Sequence, residues 1–273
     1  MTRPSDPARA PHPWFTASEA PRVLAHRGLV SADAARDGVV ENSFAAVAAA
    51  HAAGVAYVES DCHLTADGAV VLFHDDDLAR VAGDPRRIAD VRVRELEALM
   101  SDRGGLLTLT QALEAFPDLH WNLDVKAAAA ATPVGVGVAR DSERVLITSF
   151  SDDRRREALA AAIRPGAVRP ATSAGRSTII RLLAAVASGS SALVARVLSG
   201  IDAVQIPERH AGVAVLTDRL LRLTAAAGVE VHVWTVNDIT TMQELVRRGV
   251  HGIVTDRADV ALRALDAPDR PRG

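Results

Sequence analysis

Side chains that could do acid–base or metal chemistry stand close together in the stretch 57–75, which reads as a strand, a tight turn and a returning strand. The pair Asp67-Gly68, set between alternating apolar residues, is typical of a β-hairpin. Because side chains alternate along a strand, Glu59 and Asp61 share one face. The returning strand then brings His74 to the level of these acids. The spacing therefore predicts an imidazole beside two carboxylates.

Two carboxylates at this spacing repel each other, and burial strengthens the repulsion. A divalent cation is the simplest relief, and oxygen ligands favour a hard ion such as Mg²⁺ or Ca²⁺. Taken alone, the hairpin is equally compatible with an exposed edge strand whose acids are merely solvated. The elements around the hairpin distinguish these two interpretations.

The chain has 273 residues, of which 48% are hydrophobic, and this suits one large domain. A net charge of −3 gives no indication of a nucleic-acid partner. No apolar stretch reaches about 18 residues, so stable membrane insertion is not expected. Residues 1–21 lack the apolar core of a secretory signal, which favours a cytoplasmic protein with a flexible N-terminal segment. Residues 266–273 are predicted to be a flexible tail. The oligomeric state is left open.

Between residues 22 and 265, eight strand-like segments alternate with helical ones, and this alternation predicts an α/β fold, the parallel (β/α)8 TIM barrel. Residues 75–118 are too long for a simple connection and are predicted to form a small inserted subdomain after the strand-two hairpin. The predicted strands are the hairpin strand and residues 22–26, 120–126, 145–149, 168–172, 202–206, 229–236 and 252–255. Residues 127–140 contain one proline and two glycines, which predict a short or irregular helix.

In TIM barrels, chemistry takes place at the carboxyl ends of the strands. The polar residues of the predicted strands gather near those ends, which favours a functional site over a solvated strand. Asn122, Asp124 and Lys126 share one face of their strand and form an inward polar stripe. His232, lower on its strand, is expected to be a hydrogen-bonded interior histidine. The full set near the carboxyl ends comprises His26, Glu59, Asp61, Asp124, Lys126 and Trp234.

Eight short motifs, in this order, resemble the glycerophosphodiester phosphodiesterase family over residues 23–262. They are His26-Arg27-Gly28, Glu41-Asn42-Ser43, Glu59-Ser60-Asp61, Thr65–Gly68, His74-Asp75, Asn122–Lys126, Trp234–Asn237 and Gly252–Asp256. The resemblance implies a TIM barrel and divides the site residues into three sets: a general acid/base pair, His26 and His74; metal ligands, Glu59, Asp61 and Asp124; and substrate-binding residues, Arg27, Glu41, Lys126 and Trp234. Asp124 stands where the family usually has Glu.

The activity that the resemblance implies is metal-dependent hydrolysis of glycerophosphodiesters to glycerol 3-phosphate and an alcohol. The cation would be Mg²⁺ or Ca²⁺, and the partner is a small-molecule substrate. The nucleophile, water or the substrate's own 2-hydroxyl, is left open. Two alternatives also remain: a lysophospholipase D-like activity at the same site, and a barrel that binds phosphodiesters without turnover.

Overall fold

Strand β1, Arg22–His26, lies in the middle of the main sheet and pairs in parallel with a neighbour on each side. The computed structural model describes residues 12–16 and 18–265. The other strands are β2 Tyr57–Leu64, β3 Val70–Leu72, β4 His120–Val125, β5 Val145–Thr148, β6 Ala171–Thr172, β7 Ala203–Ile206, β8 Arg209–His210, β9 Val213–Ala214, β10 Glu230–Val233 and β11 Gly252–Thr255.

Eight parallel strands follow one another in the order β6-β5-β4-β2-β1-β11-β10-β7. A parallel bridge between Ser173 and Ala203 connects the two ends of this order, so the barrel is nearly closed. Strand β3 pairs antiparallel with β2, and β8 and β9 form a separate exposed hairpin. The predicted TIM barrel is confirmed.

Twelve α-helices lie within the described residues, and most of them surround the barrel. They are α1 Ala32–Arg36, α2 Phe44–Ala52, α3 Ala79–Ala82, α4 Val93–Met100, α5 Leu109–Ala115, α6 Ala131–Val138, α7 Asp152–Ala162, α8 Arg176–Ser188, α9 Ser191–Val197, α10 Asp218–Ala226, α11 Ile239–Arg247 and α12 Ala258–Leu265. None of these described helices has the length and apolar character that crossing a membrane requires.

Local sequence chemistry sets several of these boundaries. Ser43 caps α2 by accepting a hydrogen bond from the Ala46 amide at 3.1 Å. Strand β6 is shorter than the predicted 168–172, since Pro170 has no amide hydrogen to give to the sheet. Residues 127–140 contain a 3₁₀ turn and the short helix α6. Gly135 packs against the Ala158 carbonyl with no room for a side chain, so this glycine allows α6 and α7 to approach closely.

Trp14 and Phe15 close the lower end of the barrel, which is the end where the parallel strands begin. Trp14 is fully buried and Phe15 is 8% exposed, and both lie on a 3₁₀ turn, Pro13–Thr16. The indole of Trp14 donates to the Trp121 carbonyl at 3.0 Å. Their neighbours inside the barrel include small side chains, which leave the space that an indole fills: Leu24, Tyr57, Leu146, Ala171, Ala203 and Val254.

The expectation of a flexible segment over residues 1–21 is therefore wrong for Trp14 and Phe15, whose apolar rings gain burial here. Residues 1–11 and 17, and the predicted tail 266–273, lie outside the described residues. His232, also in the barrel interior, is fully buried and hydrogen-bonded to Gln205 at 3.2 Å, as expected.

The long excursion after β3 consists of two parts. Its first part has a small apolar core of its own, packed against the hairpin: Val71, Phe73, Leu78, Ile88, Val91, Leu96, Met100 and Leu106. Its second part contains α5, whose residues Leu109, Ala112 and Leu113 pack into the main core around the barrel. The separate packing unit thus ends before α5, which is an ordinary helix of the barrel layer.

Candidate active site

A cavity of about 630 Å³ opens at the carboxyl ends of the barrel strands. Its polar side, called the floor below, is formed by Glu59, Asp61, Asn122, Asp124 and Lys126, and its opposite side is an apolar wall. Eight of the nine residues predicted for the site line this cavity: His26, Arg27, Glu59, Asp61, His74, Asp124, Lys126 and Trp234. The ninth, Glu41, lies outside the lining.

The pairing of neighbouring strands places the polar residues of the floor side by side. Glu59 is the Cα partner of His26 on one side and of Asn122 on the other. Asp61 is the partner of Asp124. In the hairpin, Cys62 pairs with Leu72, where β3 ends, so His74 lies two residues beyond the paired strand. Inward positions repeat every second residue, so the residues paired across β1, β2 and β4 face the same interior, and His74 reaches this cavity from the segment after β3.

The three acids of the floor are almost fully buried, with exposed fractions of 9% for Glu59, 1% for Asp61 and 5% for Asp124. Burial, and then the charges of Asp61 and Asp124, raise the pKa of Glu59 well above its ordinary value. Burial also raises the pKa of Asp124, although Lys126 opposes it. Burial alone would raise the pKa of Asp61, but Lys126 and Arg27 outweigh it and lower the pKa.

Both oxygens of Asp61 have cationic or amide partners. Lys126 Nζ lies 2.9 Å from Asp61 Oδ1 and 2.7 Å from Asp124 Oδ2. Arg27 Nε lies 2.9 Å from Asp61 Oδ2, and the amide of Asn42 donates to the same oxygen at 3.1 Å. Three carboxyl groups therefore face two cationic side chains on the floor.

Each candidate catalytic histidine is held by a carboxylate. His26 Nδ1 lies 2.6 Å from Asp256 Oδ1, and His74 Nδ1 lies 2.6 Å from Asp75 Oδ1. A carboxylate only accepts hydrogen bonds, so each Nδ1 carries the hydrogen and each Nε2 is left for proton transfer. Nε2 of His26 lies 3.8 Å from Glu59 Oε2.

The two carboxylates have different supports. Asp256 accepts from the amide of Asn237 at 2.6 Å, and the hydrogen bond from His26 is the main cause of its lowered pKa. Asp75 instead accepts from Arg80 Nε at 2.6 Å.

Arg80, in helix α3 of the inserted part, connects His74 with the rest of the site. Its Nη2 donates to Glu41 Oε1 at 2.6 Å, and the same oxygen lies 3.6 Å from Arg27 Nη1. Glu41 thus lies beside Arg27 and orients cations from outside the cavity. Arg27 itself has φ +58°, held by amide hydrogen bonds to and from Glu59 and Asn42. Such a conformation is costly for a side-chain residue and is typical of functional sites.

The carboxylate oxygens of the floor are suitable ligands for a hard cation. Glu59 Oε2 and Asp124 Oδ1 are buried oxygens without a hydrogen-bond partner among the described residues. Unpaired buried acceptors are costly, and a hard cation would compensate both. Within residues 12–16 and 18–265, however, no three histidine, cysteine or carboxylate side chains form a complete metal site. The ammonium of Lys126 lies between two of the three predicted ligands.

One wall of the cavity is apolar. It is formed after β5 and β7, by helix α8 and by the residue after β10: Phe150, Ile179, Ile180, Leu183, Pro207, Val215 and Trp234. Phe150 and Ile180 are each 59% exposed. The cavity mouth therefore presents apolar surface to the solvent.

Sequence reasoning did not assign four residues that complete the site: Asp75, Arg80, Asn237 and Asp256. Three of them stand in the quoted motifs, but a motif alone does not show which histidine a carboxylate will contact. Arg80 gave no signal, since it reaches the site only through the packing of α3. Phe150 stands two residues after the end of strand β5, and its position near a carboxyl end was the available signal.

Comparison with known proteins identifies the family of the chain. The model of the Glycerophosphoryl diester phosphodiesterase family matches residues 26–260. A probable glycerophosphodiester phosphodiesterase 2 of Mycobacterium tuberculosis is 39% identical over 245 residues, covering 87% of this chain and 88% of that relative. Human lysophospholipase D GDPD1 is 29% identical over 117 residues, covering only 38% of this chain and 35% of that relative.

A solved structure has the same fold. An Oleispira antarctica phosphodiesterase, in complex with the product sn-glycerol-3-phosphate, superimposes with a TM-score of 0.69 at 22% identity, covering 91% of this chain and 98% of that chain. The family match and the relative from Mycobacterium tuberculosis each cover most of the chain. The chain therefore belongs to the glycerophosphoryl diester phosphodiesterase family, and it is a phosphodiester hydrolase.

Proposed function

We propose that the chain hydrolyses glycerophosphodiesters to glycerol 3-phosphate and an alcohol, with His26 and His74 as the general acid/base pair and with one divalent cation. The observation that carries the proposal is the pair of carboxylate-anchored histidines that open on one cavity. One imidazole takes the proton of the attacking hydroxyl group, and the other gives a proton to the departing alkoxide. Water and the substrate's 2-hydroxyl both suit this pair as nucleophile.

Cationic side chains would bind the phosphodiester and oppose the charge that develops during attack. Arg27 and Lys126 line the cavity and are held in place by Asp61. Negative charge grows on the phosphate oxygens in the transition state, so preorganised cations lower the barrier. Glu59, Asp61 and Asp124 would hold Mg²⁺ or Ca²⁺; when bound, the ion supplies further positive charge there.

Histidine variants test the acid/base assignment. We expect His26→Ala and His74→Ala each to lower kcat by about 10²-fold or more. The assay is glycerol 3-phosphate release from a panel of glycerophosphodiesters. His51→Ala, on the exposed side of α2, is the matched control and should keep normal turnover. Normal turnover in either cavity variant would remove that histidine from the proposal.

A leaving group of low pKa separates the two roles. A nitrophenyl phosphodiester needs little protonation of its leaving oxygen, so it should largely restore turnover to the variant that lacks the general acid. The variant that lacks the general base should stay slow with both substrates. Equal restoration in both variants would contradict a division of labour between the two histidines.

Removal of divalent cations tests the metal. Excess chelator should abolish turnover, and Mg²⁺ or Ca²⁺ should restore it, because the ion would supply positive charge at the phosphate that the two cationic side chains facing three carboxyl groups do not supply alone. Comparing the two ions at equal concentration identifies the preferred one. Full turnover in excess chelator would show that the reaction proceeds without a metal.

The apolar wall favours a second candidate, a lysophospholipase D-like activity on the same site. Phe150, Ile180 and Trp234 would pack against an acyl chain. Hydrolysis of lysophosphatidylcholine should then fall in Phe150→Ser and Ile180→Ser, while that of glycerophosphocholine stays close to normal. Ile163→Ser is the control, since Ile163 is 66% exposed but does not line the cavity. Equal effects on both substrates would argue against this candidate.

A further inference from the structure

Asn122 is a buried amide that the site described so far leaves without a role. It lies on β4, is 1% exposed and lines the cavity floor. Neither its Oδ1 nor its Nδ2 has a hydrogen-bond partner among the described residues. Buried amides are almost always hydrogen-bonded, because leaving them unpaired costs the full desolvation of the group. A buried amide without a protein partner in the cavity lining therefore indicates a ligand.

The neighbours of Asn122 show which kind of ligand this is. Glu59 is its Cα partner across the sheet, and Asp124 follows two residues later on the same face. Both of these residues also present a buried oxygen without a partner, Glu59 Oε2 and Asp124 Oδ1. By contrast, Asn42 nearby is satisfied at both ends of its amide, by Asp61 at 3.1 Å and by Ser60 at 2.6 Å. The buried side-chain oxygens of the cavity lining that have no partner in the described part of the chain thus lie on these three neighbouring residues.

We propose that Asn122 is a further ligand of the divalent cation and contributes its amide oxygen beside Glu59 and Asp124. The inference rests on the proposed metal-dependent function. A phosphate oxygen would be repelled by the two flanking carboxylates, whereas a cation is attracted by all three oxygens. Hard cations accept carbonyl oxygens of Asn as readily as carboxylates. A neutral ligand also completes the site without adding a fourth carboxyl group to the floor.

The test measures cation binding directly on the metal-free protein, by calorimetric titration with CaCl₂ and MgCl₂. Asn122→Leu keeps the approximate size of the side chain and removes its oxygen. We expect the dissociation constant of the cation to rise about tenfold or more, in the range seen when a group that supports a metal is lost. Asn122→Asp keeps an oxygen ligand and should bind the cation at least as tightly as the unaltered protein.

Unfolding of the metal-free variants gives a second readout. Asn122→Leu should be no less stable than the unaltered protein, because an unpaired buried amide has been removed. Gln205→Met is the matched control: it also replaces an interior amide, but one hydrogen-bonded to His232. This control should lower the stability of the metal-free protein and leave the cation affinity unchanged.

Three results would overturn the inference. They are an unchanged cation affinity in Asn122→Leu, a loss of affinity in Asn122→Asp as large as in Asn122→Leu, and a loss of glycerol 3-phosphate binding in Asn122→Leu with normal cation binding. If the unaltered protein binds neither cation, the metal part of the proposed function fails as well, and this outcome is distinct from the other three.

Discussion

Asp256 offers a sharp test of how the histidines are positioned. In Asp256→Asn the side chain keeps its shape but loses its charge, and His26 loses a charge-assisted hydrogen bond of 2.6 Å. Such bonds contribute about 1.5–3 kcal/mol. The Asp256 side chain is 53% exposed, so solvent screening favours the lower part of that range, about 1.5–2 kcal/mol. Since about 1.4 kcal/mol corresponds to a factor of ten in rate, kcat should fall about 10- to 30-fold.

The Michaelis constant separates positioning from binding. Because Asp256 contacts His26 and not the cavity, KM for glycerophosphodiesters should change by less than about threefold. Asp259→Asn, three residues further on and paired with Arg263, is the matched control and should leave both constants unchanged. A variant Asp256→Asn with normal kcat, or with an altered KM alone, would refute the reasoning.

Two further predictions concern stability. Trp14→Ala should lower the free energy of unfolding by about 3–5 kcal/mol, measured by urea unfolding, because it empties the lower end of the barrel. Burial opposes ionisation of Asp152, but hydrogen bonds from Ser177 and Thr178 lower its pKa far below the ordinary 3.8. Its ionised form therefore contributes its full stabilisation above pH 3.8, and the contribution is lost gradually as the pH falls from 3.8 through the lowered pKa of the folded state. Asp152→Asn should cost about 2–3 kcal/mol near pH 7 and progressively less as the pH is lowered below 3.8, by the same urea measurement.

The fold was predictable because its signals are local and repeated. Strand β11 has the predicted bounds, since it has a clear apolar pattern and clear ends. The burial of Trp14 was not predictable, because it depends on a gap between small residues from distant strands. Cytoplasmic residence rests on the sequence alone and stays a prediction.

Side-chain alternation and the barrel rule predicted part of the candidate site. Alternation put Glu59 and Asp61 on one face, and the position of Asp124 near the end of a neighbouring parallel strand put it at the same end of the barrel. His74 reaches the cavity from the segment after β3, which hairpin register alone does not position. The hydrogen-bond partners of these groups come from other loops and helices. Sequence spacing does not show which of those side chains will come within hydrogen-bond distance. For this reason Asp256 and Arg80 emerged only from the folded chain. The roles proposed for the site residues remain predictions.

Trp14 and Phe15 fill the amino-terminal end of the barrel, and this has a kinetic consequence. In the part of the chain that the structure describes, the cavity opens at the opposite end, where the histidines lie. Substrate and product therefore use the same opening, one after the other. Glycerol 3-phosphate that lingers in this opening would obstruct the next molecule, so it should act as a competitive inhibitor.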